Sequence, residues 1–568
     1  MTTGVQREYV LVHEIPLTVW IFTSILLALT TAIVDKFKSP LAKIPGPFLT
    51  KFTVLPIVYH DHIGNRTKWT EELHRKYGPV VRLSPKEVSV SSAASIRDVF
   101  TGSAKAGYYP KAPIFNIFQH YGARNAFSSI DSDNHSWRRK IVAGNYAQTA
   151  IVAKEAKHGT LWKTVGSFVK MVEREGVNPD EGPAKSMDFL SACRFYAADN
   201  ITSHLFVEGS HALDGDKEIR RIIEDSAEGP SDVMSYFKME FETLHSIIKQ
   251  TKVLILRVLG LEQKSTGRSR PATASGKKVS LEQSKWYGGT PIRHWGWKRF
   301  LRTRDALVEA QIDTSLESPV GAKLAANALE GERSNLIPGA PVQDAGIRQL
   351  KSPKLDGSML RFYRNEGCAS ECMDQFLAGL DTVGDTLAYV LQTLSMPEHR
   401  QSQQALIQEC SSLGLPREYH EPLSSKKLAD VQAAPYVEAV LKETLRAFPA
   451  STTAFQRVVP TGGRTLEGHF VSGDTIIGGI PTTINRDVSI FDKFCTFDVE
   501  QWLPQRWLDA DADTLAEMNR RLWTFGSGGR GCIGRHLAIL EMKLLIVGIY
   551  SRYSTVIDDE TPVQVSKK

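Results

Sequence analysis

The first strong feature of the hydrophobic pattern is a run without charge, Ile15 to Val34, reading IPLTVWIFTSILLALTTAIV. At about 1.5 Å per helical residue it is long enough to cross a hydrocarbon layer of about 30 Å. A cleaved signal is the alternative, but the run is long for a signal core and has no clear small-residue exit. Lys36, Lys38, Lys43 and Lys51 follow the run and only Arg7 precedes it. The positive-inside rule therefore predicts that residues 1–14 face the lumen, 15–34 span the membrane, and the bulk of the chain lies in the cytosol. Residues 35–50 form a proline-containing connection, with Ile44-Pro-Gly-Pro47 as a stiff turn.

The body, 51–568, shows several further patterns. Thr67 to Tyr77 has helical spacing, while Val80–Leu83 and Glu87–Val90 alternate as a hairpin would, with Ser84-Pro85-Lys86 at the turn. Ile151 to Leu261 is helical almost throughout, with starts expected at Asp188 and at Ala197. The stretch 263–278 is polar, basic and poor in large apolar residues, so it cannot offset the cost of its own ordering and is expected to be a mobile loop. Long helical patterns return over 367–394, 435–446 and 536–547, the last with Leu537, Leu540, Leu544 and Leu545 on one side. Between them, Phe455–Pro460 alternates as a strand, and short strands with glycine turns follow it.

Composition narrows this picture modestly. A formal charge of +6 over 568 residues is too diffuse to argue for nucleic acid, though it suits an acidic protein partner or an anionic membrane face. The six cysteines show no framework spacing, which fits a reducing compartment.

Candidate chemistry concentrates near the C-terminus. Five glycines surround Cys532 in the stretch Phe525–Gly534, which marks a backbone that takes positive φ or lies close against something flat. Cys532 falls just before a helix start, where the dipole and free N–H groups favour a thiolate. A lone cysteine is more often a buried, inert residue. Zinc is the weaker metal reading, because no paired Cys or His flanks it. Phe525, Gly528, Arg530, Cys532 and Gly534 fill every fixed position of F-x-x-G-x-R-x-C-x-G, and here the chain resembles the cytochrome P450 family.

Three other motifs extend the resemblance. Ala378, Gly379, Asp381 and Thr382 match A-G-x-[DE]-T, and Val383 stands where Thr or Ser is commoner. The resemblance implies that Gly379 leaves room for dioxygen, Thr382 hydrogen-bonds the reacting oxygen and Asp381 relays protons toward it. Glu443 and Arg446, with Arg506 of Pro504-Gln-Arg506, resemble the family's structural lock, whose loss should prevent haem incorporation. His135 and Arg139 share a helix face at i, i+4; the resemblance implies that they, Arg457 and Arg530 hold the haem propionates. An exposed basic face is the plainer reading of that pair. Arg138 and Lys140 beside them are candidates for docking an acidic redox partner.

The resemblance implies a mainly α fold with a small β lobe, preceded by a single transmembrane helix. It further implies haem b ligated by Cys532, with electrons from NADPH through NADPH-cytochrome P450 reductase, and cytochrome b5 as a second donor. The expected location is the endoplasmic reticulum membrane. The expected reaction inserts one oxygen atom of O2 into a lipophilic small molecule, and residues 450–454 are expected to line its pocket. An isomerase or dehydratase acting without O2 and a non-catalytic haem or lipid carrier are the alternatives. The chain also ends soon after Tyr553, where the family usually adds a longer hairpin.

Overall fold

The computed structural model describes residues 39–101, 108–176, 187–227, 291–308, 320–324, 326, 365–451, 454–492 and 498–557. The apolar run 15–34 and the stretch 263–278 lie outside the described residues. No described helix is long and apolar enough to cross a membrane.

The β lobe comes first. Helices α1 (Leu55–His62) and α2 (Arg66–Tyr77) lead into β1 (Val80–Ser84) and β2 (Glu87–Val90), then α3 (Ala93–Thr101). The expected hairpin is present, with Val80 opposite Val90 and Arg82 opposite Val88. Two late strands complete the sheet: β3 (Phe455–Val458) and β6 (Ile476–Gly479) give the order β1-β2-β6-β3, β2 and β6 running parallel. A separate hairpin pairs β4 (Arg464–Leu466) with β5 (His469–Val471). The proline turn at 44–47 is fastened to this lobe. The buried Arg82 guanidinium donates to the carbonyls of Leu41 at 2.9 Å and Ile44 at 2.6 Å, and a Cβ at Gly46 would lie 2.5 Å from the Arg82 carbonyl.

The rest is helical: α4 (Ser132–Val142), α5 (Gln148–His158), α6 (Thr160–Gly176), α7 (Phe189–Leu205), α8 (Lys217–Ala227), α9 (Pro291–Val308), α10 (Asn365–Ser395), α11 (Arg400–Ser412), α12 (Ser425–Ala433), α13 (Pro435–Ala447), α14 (Ala512–Arg521) and α15 (Arg535–Tyr550). Asp188 caps α7 as expected, accepting from the Leu190 N–H at 3.0 Å. The second start expected at Ala197 does not exist, because α7 runs straight through it. Its cap-like Asp199 serves the following loop instead, accepting from the N–H groups of Ala212 at 2.8 Å and Leu213 at 3.0 Å.

Helix α10 crosses the centre of the body and packs most closely on α7. Its glycines make that approach possible. A Cβ at Gly379 would meet Ile201 at 2.7 Å, and one at Gly384 would meet the Arg194 side chain at 2.7 Å. Arg194 then pairs with Asp385 at 2.8 Å across the same seam. The helix cost of these glycines is thus offset by interhelical contact. Gly379 faces α7 with the position its Cβ would fill, so packing is the constraint the structure shows there.

Helix α13 carries the lock. Glu443 and Arg446 are completely buried. Arg446 donates to both Glu443 oxygens, at 2.8 and 2.7 Å, and to the carbonyls of Val499 at 2.9 Å and Gln501 at 3.0 Å. Glu443 also accepts from the Leu503 N–H and the Trp507 indole, each at 2.9 Å. Arg506 approaches Glu443 at 3.5 Å and donates to the carbonyls of Phe491 and Gln501. A buried pair is worth keeping only when its remaining donors and lone pairs are met, and here backbone carbonyls and N–H groups meet them. Replacing Glu443 by Ala strands two guanidinium groups in the core and is expected to cost about 3–5 kcal/mol. Urea unfolding of the variant should show that loss, and a midpoint unchanged from wild type would refute it.

Candidate active site

The lock reaches the cysteine loop through Asn485, whose side chain accepts from the Trp523 N–H at 2.8 Å and donates to Thr524 Oγ1 at 3.0 Å. Thr524 in turn donates to the Leu445 carbonyl at 2.7 Å. The loop then turns back on itself. Gly526 and Gly528 take φ of +63° and +66°, and a Cβ on Gly528 would strike the Phe100 carbonyl at 2.6 Å. The Cys532 N–H donates to the Phe525 carbonyl at 2.8 Å, which closes the loop and aims the sulfur. Of the five glycines, only these two need left-handed backbone.

Cys532 is exposed, whereas the other four described cysteines are buried. The backbone N–H groups of Gly534 and Arg535 and the charges of Arg139 and Arg535 all favour its thiolate. Burial outweighs them, however, and the thiol stands above its ordinary pKa. The helix start does favour the thiolate, as expected, while desolvation by the surrounding protein opposes it and is the larger effect. A coordinated cation would remove that proton outright. No cluster of three or more protein ligands able to hold a metal occurs among the described residues, which leaves a single protein sulfur as the donor.

Around this loop the structure gathers positive charge. Arg139 donates to the Gly531 carbonyl at 2.6 Å. Arg530 donates to the carbonyls of Ser129 at 2.6 Å, Ile130 at 3.0 Å and Asp131 at 2.7 Å, and to the Tyr108 hydroxyl. Arg457, on β3, is buried and lies 5.0 Å from the Phe100 ring. Lys111 bridges to it in the backbone and sits over the Phe115 and Phe127 rings at 4.5 and 4.3 Å. Lys111 escaped sequence reasoning; its signal is a lone lysine inside the otherwise uncharged run Tyr108–Phe115.

His135 is buried among all four cations. Burial lowers its pKa to about 3, helped by Arg530, Lys111, Arg139 and Arg457, so it is neutral at physiological pH. Arg457 is depressed to about 10 by burial and then by Arg530, and Lys111 falls well below its usual range for the same two reasons, with Arg457 adding to the effect. Among the described residues none of these four cations makes an ion pair. Cations crowded beside a buried imidazole, with Lys111 and Arg457 depressed by their neighbours, create a site for anionic groups. Carboxylates on the edge of a planar cofactor would supply the missing negative charge, so the residues present fit a haem held by Cys532.

The other expected residues fall into place unequally. Asp381 and Thr382 are exposed on α10, and the Thr382 hydroxyl donates to the Ala378 carbonyl at 2.7 Å. Phe525 is half-buried, with Arg535 5.6 Å from its ring. Arg138 is not a docking residue: it is 2% exposed, its charge turned toward Glu371 inside the protein. Of the expected pocket stretch 450–454, residues 452 and 453 lie outside the described residues.

Fold and site together give a mainly helical protein with an exposed cysteine beside a cluster of cations. Residues 354–568 match the family model described as Cytochrome P450. The chain is 24% identical to the cytochrome P450 monooxygenase cypX of Dothistroma septosporum, over 93% of this chain and 87% of that one. It is 24% identical to FGM1 of Gibberella zeae, over 90% and 86%, and 26% identical to tazI of Aspergillus terreus, over 94% and 90%; both are named cytochrome P450 monooxygenases. The C-terminal part of the chain, with the motifs in their order, is thus similar to the cytochrome P450 family.

If the four cations hold the haem carboxylates, removing Lys111 and Arg457 together should speed haem loss. Transfer of haem from the Lys111→Ala/Arg457→Ala protein to apomyoglobin should be about tenfold or more faster than from wild type. Equal transfer rates would show that the cluster does not hold the cofactor.

Proposed function

We propose that this protein is a haem-thiolate monooxygenase that inserts one oxygen atom of O2 into a lipophilic small molecule, in secondary metabolism. The observation that carries the reading is the accessible Cys532 sulfur beside the unpaired cation cluster, with Asp381 and Thr382 exposed on α10. Haem bound there supplies oxygen activation driven by electron donation from the thiolate. The protein does the rest. Arg139 and the Gly534 and Arg535 N–H groups stabilise negative charge on the sulfur. Thr382 keeps its hydroxyl anchored on the Ala378 carbonyl and would present it to a reacting oxygen, and Asp381 would supply an exposed carboxylate one residue away for proton delivery.

The electrons come from NADPH through a membrane flavoprotein reductase, with cytochrome b5 as an additional donor. The charge-free run at 15–34, with lysines on its C-terminal side, supports single-pass anchoring in the endoplasmic reticulum membrane and a cytosolic catalytic body. Such an anchor places the body beside the phase into which a lipophilic substrate partitions.

Heavy-oxygen-labelled O2 tests this reading. With NADPH and reductase, the product should carry one labelled oxygen atom per turnover. A product formed without label would indicate rearrangement without O2 and would overturn the monooxygenase assignment.

A further inference from the structure

Helix α15 begins just after Cys532 and carries Glu541 on its second turn, about 9 Å along the helix from its first residue. Glu541 is 3% exposed and lies against α7. There the Tyr196 hydroxyl donates to its backbone carbonyl at 2.9 Å, and the Asn200 amide acts on its carboxyl. Tyr196 and Asn200 stand at i, i+4 on one face of α7 and are themselves fully buried. Yet Glu541 Oε2 and both polar atoms of Asn200 lack a hydrogen bond of full geometry among the described residues.

The charged and titratable groups on the elements packed against α15 give Glu541 no counter-ion. Lys543, on the same helix, is held by the Gln432 carbonyl of α12 at 2.6 Å and by Glu438 of α13 at 2.5 Å. On α5, Glu155 is another buried acid, raised to about 7, and accepts the N–H groups of Leu161 at 2.8 Å and Trp162 at 2.9 Å at the start of α6. Lys163 of α6 donates to the His158 carbonyl at 2.9 Å, and Arg194 of α7 is taken by Asp385 of α10. Burial keeps His204 of α7 neutral, with a pKa of about 3, and holds the Cys410 thiol of α11 up at about 12. Tyr146, in the turn before α5, is a buried phenol that feels Glu541 and Cys532 alike. Nor is there room for water to follow a charge in, since α6 lies so close to α15 that a Cβ on Gly548 would strike Val165. A carboxylate in such a place is strongly disfavoured. Burial accordingly raises the Glu541 carboxyl to about 8, the Asn200 amide opposing it only in part.

We propose that Glu541 is a positioning residue for Cys532: as an uncharged acid it seats α15 against α7, and charging it unseats the helix and the sulfur at its head. The inference goes beyond the monooxygenase reading by placing an acid–base control on the support of the sulfur, and rests on that reading only for its spectral test. A protonated carboxyl can donate to the Asn200 oxygen and accept from its nitrogen, whereas a carboxylate leaves that oxygen stranded. Because the folded-state value is raised from 4.5 to about 8, the stability held by the neutral acid is complete below about pH 4.5 and is lost as pH rises through about 8.

The test compares full-length haem proteins: wild type, Glu541→Gln, whose amide has the same shape and cannot ionise, and Glu155→Gln as a control for the neighbouring acid. In wild type the reduced carbon monoxide band at about 450 nm should give way to one at about 420 nm as pH rises through about 8. In Glu541→Gln the half-point should move up by about one pH unit or more. Urea unfolding gives a reading independent of ligation: the advantage of Glu541→Gln over wild type should widen from about pH 5 to about pH 9. Superimposed pH profiles for wild type and Glu541→Gln, a shift seen in Glu155→Gln instead, or a urea difference that stays constant with pH would each overturn the proposal. A wild type without the 450 nm band at any pH sinks the haem-thiolate reading, and the urea comparison then decides by itself whether Glu541 seats the helix.

Discussion

A single accessible sulfur in a helical body, beside four cations that make no ion pair among the described residues, is the constraint on which the molecule turns. Neither half is comfortable alone. Burial raises the Cys532 thiol above its ordinary pKa, and the same burial depresses Lys111, Arg457 and the Arg530 guanidinium. One ligand with a metal centre and anionic edges answers both, since the metal takes the sulfur's proton and the carboxylates take the cations. The charges of the two halves thus suit such a cofactor.

Holding that arrangement requires a rigid support, and the buried Glu443–Arg446 pair provides it at a distance from the chemistry. Its unused donors and acceptors are spent on the backbone of 499–503 and on Trp507. Through Asn485 and Thr524, the C-terminal end of α13 fixes the point at which the cysteine loop begins. The loop's freedom is then removed by the Cys532-to-Phe525 hydrogen bond and by two glycines whose backbone no other residue would adopt cheaply.

Much of this was legible in the sequence because it is local. The cysteine loop, the Asp381-Thr382 pair, Glu443 with Arg446, and the i, i+4 placement of His135 and Arg139 all depend on spacings of a few residues. What escaped depends on tertiary approach. Lys111 lies in an isolated β-bridge and Asn485 ends a five-residue helix, both too short to show periodicity. Errors had the same origin. Arg138 beside Arg139 looks like surface charge, but one step of about 100° around α4 turns it inward. The Ala197–Thr202 stretch carries the composition of a helix start, yet Asp199 spends its oxygens on a loop beyond the helix end.

The central claim is the bond between the Cys532 sulfur and haem iron, and the carbon monoxide difference spectrum of the reduced protein reads it most directly. Thiolate ligation predicts a Soret band at about 450 nm in wild type and its disappearance in Cys532→Ala. A band at about 420 nm in fully active wild type, or an unaltered spectrum in the variant, would contradict the account.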